Sequence, residues 1–169
     1  MKRITTVGAA IIAALVLTTG LVVASAKADF SGAWTLDKAK SEGLPPDVKS
    51  QTMTVKQTGD SVAVETKTAN EGGEEVNAAV YTLDGKEAAH VQKGPNGMEG
   101  KGKRISTWAA DGNGFDVKET AVFDTPGGVV EVKGTRKWVL AADGKTLTID
   151  MTLETPMGTH TVKRLFTKN

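Results

Sequence analysis

The fold is decided by the stretch Val129–Leu153, "VVEVKGTRKWVLAADGKTLTIDMTL". Apolar and polar residues alternate on both sides of Asp143-Gly144, and this alternation is typical of strands that bury one face. Asp-Gly between two such segments is a strong signal for a two-residue hairpin turn. That turn would place three pairs of inward residues opposite each other: Leu140 with Leu147, Trp138 with Ile149, and Arg136 with Met151. The apolar faces then match, so the stretch predicts an antiparallel hairpin in one register.

The same alternation continues along the chain between turn signals such as Asp84-Gly85, which predicts a further hairpin. Counting from Phe30, we expect about ten short strands, the pattern of an all-β antiparallel barrel or sandwich. The Gly-rich segment Gly94–Gly102 predicts a loop, and Gly97–Arg104 is a poor match to a phosphate-binding loop because no helix follows it. Only Asp37–Glu42 predicts a short helix, which follows the first strand.

The first 28 residues have the pattern of a secretory signal peptide. A basic head is followed by an apolar run over Val7–Val23, and Ala26-Lys27-Ala28 offers a small-residue cleavage site before Asp29. A second site follows Ala24-Ser25-Ala26, and the competing interpretation is an uncleaved membrane anchor. We therefore expect a leader over residues 1–28 and one domain over 29–169, periplasmic or secreted, with no membrane span after cleavage.

Composition argues against several classes of function. The chain has 21 basic and 20 acidic residues and a net charge of +1, so it offers no basic field for nucleic acid. It has no cysteine and two histidines, so there is no thiol nucleophile, no disulfide and little basis for a metal site. No Gly-x-Ser-x-Gly motif occurs. We expect no cofactor and no enzymatic activity.

Ionisable residues share the predicted apolar face of the later strands. They are Glu119, Arg136, Arg164 and His160, and a buried charge needs a partner or a ligand. A Gly127-Gly128 turn would set Glu119 opposite Arg136, and a Pro126-Gly127 turn would shift the register by one pair. Two interpretations stay open here: an internal Glu119–Arg136 ion pair, or a cavity that fixes the polar head of a ligand.

The opening "FSGAW" (Phe30–Trp34), the short helix, the meander of strands and an arginine in the last strand resemble the calycin superfamily. The likeness is to lipocalins, fatty-acid-binding proteins and secreted bacterial lipocalin-like proteins. It implies an up-and-down β-barrel of about 8–10 strands, in which Gly32 and Trp34 open the first strand and Trp34 closes one barrel end. It also implies that Arg164 packs across the Trp34 ring, a cation–π contact.

This resemblance implies a barrel that binds a small apolar or amphiphilic molecule, and an anionic head group would find a partner in the interior arginine. The candidate ligand-binding residues are the inward polar and large apolar ones: Arg136, Glu119, Trp138, Met151, Phe123, Tyr81 and Trp108. The alternative is a packed barrel that binds nothing and serves as a structural or interaction module of the cell envelope. A third hypothesis makes Glu119 a catalytic base beside Arg136.

Overall fold

The computed structural model describes residues 27–94 and 97–169. The predicted leader therefore lies outside the described residues except for Lys27 and Ala28. In the part of the chain that is described, no helix is long and apolar enough to cross a membrane.

The described chain forms ten antiparallel strands and one turn of 3-10 helix, Lys38–Lys40. The strands are β1 (Gly32–Leu36), β2 (Ser50–Thr58), β3 (Ser61–Asn70), β4 (Gly73–Thr82), β5 (Asp84–Lys93), β6 (Glu99–Trp108), β7 (Gly114–Thr125), β8 (Gly128–Leu140), β9 (Thr146–Thr155) and β10 (Gly158–Lys168). All ten belong to one sheet in the order β4-β3-β2-β1-β10-β9-β8-β7-β6-β5. The first and last strands are therefore neighbours, and the sheet curls into a nearly closed up-and-down barrel, as the all-β prediction requires.

The barrel stays open between β4 and β5, which follow each other in sequence but do not pair. The predicted hairpin at Asp84-Gly85 is therefore wrong. Asp84 uses its side chain to accept from the Lys86 amide at 3.0 Å, and the β5–β6 register shifts between Asp84 and Glu87. After this turn β5 pairs with β6 and not with β4. Arg104 of β6 nevertheless contacts the Tyr81 ring of β4 across the opening.

The predicted hairpin around Asp143-Gly144 has the expected register, with Trp138 opposite Ile149 and Arg136 opposite Met151. In the preceding hairpin Thr125 pairs with Gly128, so the Pro126-Gly127 turn is the one that forms. Arg136 consequently lies opposite Val117 rather than Glu119. The inward faces are unchanged, because this shift moves the register by a whole pair.

The Gly-rich loop prediction is wrong for Glu99–Gly102, which belong to β6. The glycines there are packing residues: a Cβ on Gly100 would lie 2.7 Å from the Phe123 ring, and one on Gly102 would overlap the Thr120 carbonyl oxygen. Glycine in this strand therefore marks close approach of a neighbour rather than a turn.

The main core fills one end of the barrel. Aromatic side chains dominate it, with Phe115 stacked on Trp138 at 4.9 Å and Phe30 edge-on to Phe115 at 5.2 Å. Trp34 is fully buried there, and its indole N–H donates to the Phe30 carbonyl at 2.9 Å. This closed end gives the cavity described below its floor.

Candidate functional site

A cavity of about 440 Å³ lies inside the barrel above this closed end. Its apolar lining comes from both halves of the sheet: Met53, Tyr81, Trp138, Ile149, Met151 and Phe166. Polar residues line the wall formed by β2, β3 and β4, among them Gln51, Thr66, Thr68 and Asn77. The cavity is partly open to solvent, and its volume lies in the range of small-molecule sites.

Three arginines also line the cavity, and one buried carboxylate holds two of them. Glu119 is 3% exposed, and its Oε2 accepts from Arg104 Nε at 3.1 Å and lies 3.0 Å from Arg104 Nη2. Arg136 Nη1 forms an ion pair with the other oxygen, Oε1, without the alignment of a hydrogen bond. The two guanidinium groups thus compensate for the cost of burying the Glu119 charge.

Gly134 makes room for this carboxylate. Gly134 lies opposite Glu119 in the β7–β8 register, and a Cβ on it would come within 3.1 Å of the Glu119 side chain. The glycine in the middle of β8 therefore serves the ion cluster and not the cavity volume.

His90 on the edge strand β5 extends the cluster. Its Nε2 lies 3.2 Å from the Thr120 carbonyl oxygen and its Nδ1 lies 3.4 Å from Arg104 Nη2. A carbonyl accepts only, so Nε2 carries the proton and Nδ1 accepts from the arginine. Burial, and then the charge of Arg104, hold the pKa of His90 below its ordinary value.

Arg164 is the third arginine, and it differs from the other two. It forms no ion pair with any carboxylate in the described part of the chain, and its Nε is buried without a hydrogen-bond partner. Burial, and then the charge of Arg136, lower the pKa of Arg164, but arginine stays protonated in proteins. Three guanidinium groups and one carboxylate leave a formal charge of +2 in this cluster. Asp47, Glu75 and Lys93 also line the cavity, and with them the formal charge is +1.

The sequence-predicted residues divide into two groups. Tyr81, Arg136, Trp138 and Met151 all line the cavity. Glu119 does not line it but pairs with two arginines that do. The structure contains the internal Glu119–Arg136 ion pair, and Arg136 also lines the cavity.

Phe123 and Trp108 lie outside the cavity wall. Phe123 belongs to a separate small cluster with Ala121 and Val132, and its ring covers Gly100. Trp108 lies at the closed end, where its indole N–H donates to Asp60 at 2.8 Å and Lys27 Nζ lies 5.0 Å from its ring. Both side chains face inward, but at heights along the barrel where other core side chains already fill the interior.

The predicted stacking of Arg164 on Trp34 is wrong. Lys168 occupies that face of the ring, with Nζ 5.3 Å from the ring centroid. The β1–β10 register explains this, because Trp34 lies opposite Lys168 while Arg164 is four residues further along β10. Arg164 is thereby free to face the cavity.

Sequence reasoning missed Arg104 and Gln51, although a signal for each was present. Arg104 alternates with the buried Ser106, but it is the first residue of the strand predicted there, and the pattern did not decide which face of that strand lies inward. Gln51 shares the inward face of β2 with Met53 and Val55, as simple alternation predicts. Among the described residues, no group of three or more His, Cys, Asp or Glu could hold a metal ion.

Comparison with known proteins gives similarity of fold only. No protein-family model matches the sequence, and no curated protein matches it. The zebrafish ileal bile acid-binding protein in complex with cholic acid is similar with a TM-score of 0.49 and 17% identity, over 83% of this chain and 98% of that one. Secretory abundant heat soluble protein 4 from Ramazzottius varieornatus is similar with a TM-score of 0.40 and 17% identity, over 82% and 94%.

Proposed function

We propose that this protein binds one small amphiphilic molecule inside the barrel and holds an anionic group of that molecule at Arg164. The observation that carries the proposal is that Arg164 lines the cavity and forms no ion pair with a carboxylate of the described residues. A partly desolvated guanidinium without an anionic partner is costly, so a ligand anion that pairs with it gains a charge-assisted hydrogen bond.

The rest of the cavity supports the same class of ligand. Trp138, Ile149 and Met151 offer apolar surface for a hydrocarbon or ring body, and burial of that surface supplies most of the affinity. The excess positive charge around Arg104, Arg136 and Arg164 favours an anion over a neutral or cationic head group. Glu119 is engaged by two guanidinium groups, which makes it a poor candidate for a catalytic base.

The test is calorimetric titration with hexadecanoate and with hexadecanol, which share a tail and differ in head-group charge. We expect hexadecanoate to bind more tightly. The Arg164→Met variant should lose at least about tenfold in affinity for hexadecanoate and little for hexadecanol, since only the carboxylate contacts the guanidinium. Equal losses for both probes would contradict the assignment of Arg164 to the head group.

Lys163→Met is the matched control. Lys163 is the adjacent residue of the same strand, carries the same charge and is exposed on the outer face, so its loss should leave both affinities unchanged. Native mass spectrometry of protein purified from its own host complements the titration: a stoichiometric bound molecule is expected, and an empty protein that also binds neither probe would favour the non-binding module.

The proposal includes export, with the leader cleaved after Ala26 rather than after Ala28. Lys27 and Ala28 make contacts that belong to the closed end: Ala28 N–H donates to the Gly112 carbonyl at 2.8 Å, and Lys27 Nζ lies 2.6 Å from Asp60 Oδ1. Cleavage after Ala24-Ser25-Ala26 keeps both residues. The intact mass of the secreted protein distinguishes the two sites, and a full-length mass would contradict cleavage.

A further inference from the structure

The cavity reaches the outside of the barrel through the seam, the opening between β4 and β5. On the other eight strands, every described residue that lines the cavity is an inward one, such as Met53 on β2 and Met151 on β9. At the seam, outward residues line it as well: Ala78 on β4, and Val91 and Lys93 on β5. Because inward and outward residues alternate along a strand, a cavity that touches both kinds passes through the barrel wall there.

Contacts close the seam next to the aromatic core and leave it open further along. Arg104 Cζ lies 4.6 Å from the centroid of the Tyr81 ring, so this pair joins β6 to β4 near the core. Leu83, between the two edge strands, donates its backbone N–H to the Asp60 carbonyl at 2.8 Å. Among the described residues, no backbone hydrogen bond joins β4 to β5. The seam can therefore widen without breaking a ladder of hydrogen bonds.

The segment Leu44–Val48 lines another boundary of the cavity, and both of its ends are anchored. Glu42 exchanges two backbone hydrogen bonds with Lys163 of β10, at 2.8 and 2.9 Å, and Lys49 donates its N–H to the Ala69 carbonyl of β3 at 2.8 Å. A ligand that entered beneath this segment would have to separate these groups, and unpaired backbone groups are costly. Entry through the seam has no such cost.

The seam also offers contacts to both parts of an amphiphile. Because β4 and β5 are edge strands, their backbone N–H and C=O groups on this side have no partner strand and can hydrogen-bond a passing head group. Val76 and Val80 on β4 and Val91 on β5 are 45%, 59% and 58% exposed. These side chains give a hydrocarbon tail apolar surface along the outer rim of the opening.

We infer that the seam is the ligand entrance of this barrel, and that an amphiphile enters and leaves sideways between β4 and β5. The inference rests on the proposed anion site at Arg164 and adds the route by which a ligand reaches it. Closing a route changes neither the free nor the bound state. Closure of the seam should therefore slow association and dissociation by the same factor, and it should leave the affinity nearly unchanged.

The first test links the two sides of the seam. The chain has no cysteine, so Ala78→Cys combined with Val91→Cys gives one pair of thiols, which a short bifunctional maleimide joins and intact mass verifies. Protein expressed from the full chain is mixed with hexadecanoate by stopped flow, and tryptophan fluorescence reports arrival because Trp138 lines the cavity. Linkage should lower the association rate constant at least about tenfold. The calorimetric affinity should stay within about threefold of that of the unlinked double variant.

Lys118→Cys combined with Thr135→Cys is the matched control. These residues lie opposite each other on the outer face of β7 and β8, so the same reagent adds the same link away from the seam. The association rate constant should then stay within about twofold of the unlinked value.

A second pair of variants needs no linker and decides the question where the mass shows no link across the seam. Ala78→Phe places a ring at the opening, whereas Val80→Phe places the same ring on the same exposed face of β4 at a residue that does not line the cavity. Ala78→Phe should associate with hexadecanoate at least about threefold more slowly than Val80→Phe. Circular dichroism of both variants confirms that the barrel is formed.

The outcomes distinguish this inference from the proposed function. If hexadecanoate binds in an Arg164-dependent way but closing the seam leaves the association rate at the control value, the anion site stands and the entrance is overturned. A linked protein that loses affinity without slower association also overturns it, because the change then acts on the bound state. If hexadecanoate does not bind the unmodified protein, the proposed function fails and the inference fails with it.

Discussion

Glu119 offsets the charge of two cavity arginines, because both Arg104 and Arg136 contact its carboxylate. It is 3% exposed, and the two guanidinium groups that it holds are largely buried. Removing one partner of a buried ion pair is costly, since the remaining charges lose their compensation. The same removal makes the cavity more positive, so it should favour an anionic ligand.

Replacing Glu119 with glutamine should therefore have two opposite effects. The free energy of unfolding should fall by about 2–4 kcal/mol, as measured by urea unfolding. Hexadecanoate should bind more tightly than to the wild type, or should restore more of the lost stability. Glu131→Gln is the control, because Glu131 is exposed and pairs only loosely with Lys133, and it should change stability by less than about 0.5 kcal/mol. A glutamine variant as stable as the wild type would contradict the role of this ion cluster.

His90 gives the fold a dependence on pH. Its pKa in the folded state lies below the ordinary value of 6.5, because burial and then Arg104 disfavour the imidazolium; Glu119 opposes this shift and Arg136 adds to it. The unfolded chain therefore takes up the proton first as the pH falls. The contribution of neutral His90 to stability is complete above about pH 6.5 and is lost as the pH falls from there towards its folded pKa.

Comparison of wild type with His90→Gln in urea at pH 7.5 and at pH 5.5 measures this effect. The wild type should be the more stable by about 1 kcal/mol at pH 7.5, since glutamine cannot reproduce both ring contacts. The advantage should shrink at pH 5.5. His160→Gln is the control, because His160 is exposed, and its difference from the wild type should stay near zero. An advantage for the wild type that grows on acidification would contradict the lowered pKa of His90.

Among the strands, β6 relies most on glycines for its close packing against a neighbouring strand. Gly102 lies against the backbone of β7, and a Cβ there would overlap the Thr120 carbonyl oxygen. The strand also carries Arg104 and the buried Ser106. The position of Arg104 in the cavity wall thus depends on how closely β6 approaches β7.

Gly102→Ala should accordingly lower the free energy of unfolding by about 3 kcal/mol or more, because the strand must move to accommodate one methyl group. Gly127→Ala, in the β7–β8 turn, is the matched control: its Cβ would have only Thr125 Oγ1 nearby, at 3.8 Å, and stability should stay within about 0.5 kcal/mol. Thermal unfolding of both variants is the measurement, and a Gly102→Ala protein that melts with the wild type would contradict the close packing.

Alternation along the strands predicted the inward faces well, as Met53, Trp138 and Met151 show, because side-chain period is a local property of the backbone. It did not predict which inward residues meet a cavity and which meet core. Phe123 and Tyr81 have the same pattern, yet only Tyr81 lines the cavity. That distinction depends on barrel depth and strand tilt, and the pattern of one strand contains neither.

Glycine-rich segments were the main source of error. Gly100 and Gly102 read as loop residues, since glycine is common in turns, whereas they relieve contacts between strands that are distant in sequence. The Asp84-Gly85 turn was recognised as a turn, but its direction was not, because a dipeptide does not specify which strand the chain joins next.

The molecule as a whole has a closed, aromatic end and a hollow interior with charged and polar walls. Phe30, Trp34 and Phe115 fill the closed end, and Lys27 and Ala28 contact it from outside. A dry floor beneath the arginines lowers the local dielectric, which strengthens the attraction between Arg164 and an anion. The division between core and cavity is therefore part of how the site works.

Because β4 and β5 do not pair, the chain could also begin at β5 and end at β4 without changing the arrangement of strands in the barrel. Because β1 and β10 pair, Asn169 already donates its backbone N–H to Ala33 at 2.9 Å. A permuted chain that starts at Asp84, passes from Asn169 to Lys27 through a flexible linker and ends at Leu83 would break no ladder of hydrogen bonds. Every pairing in it would join consecutive strands, which lowers contact order and should make the permuted barrel fold faster than the natural one.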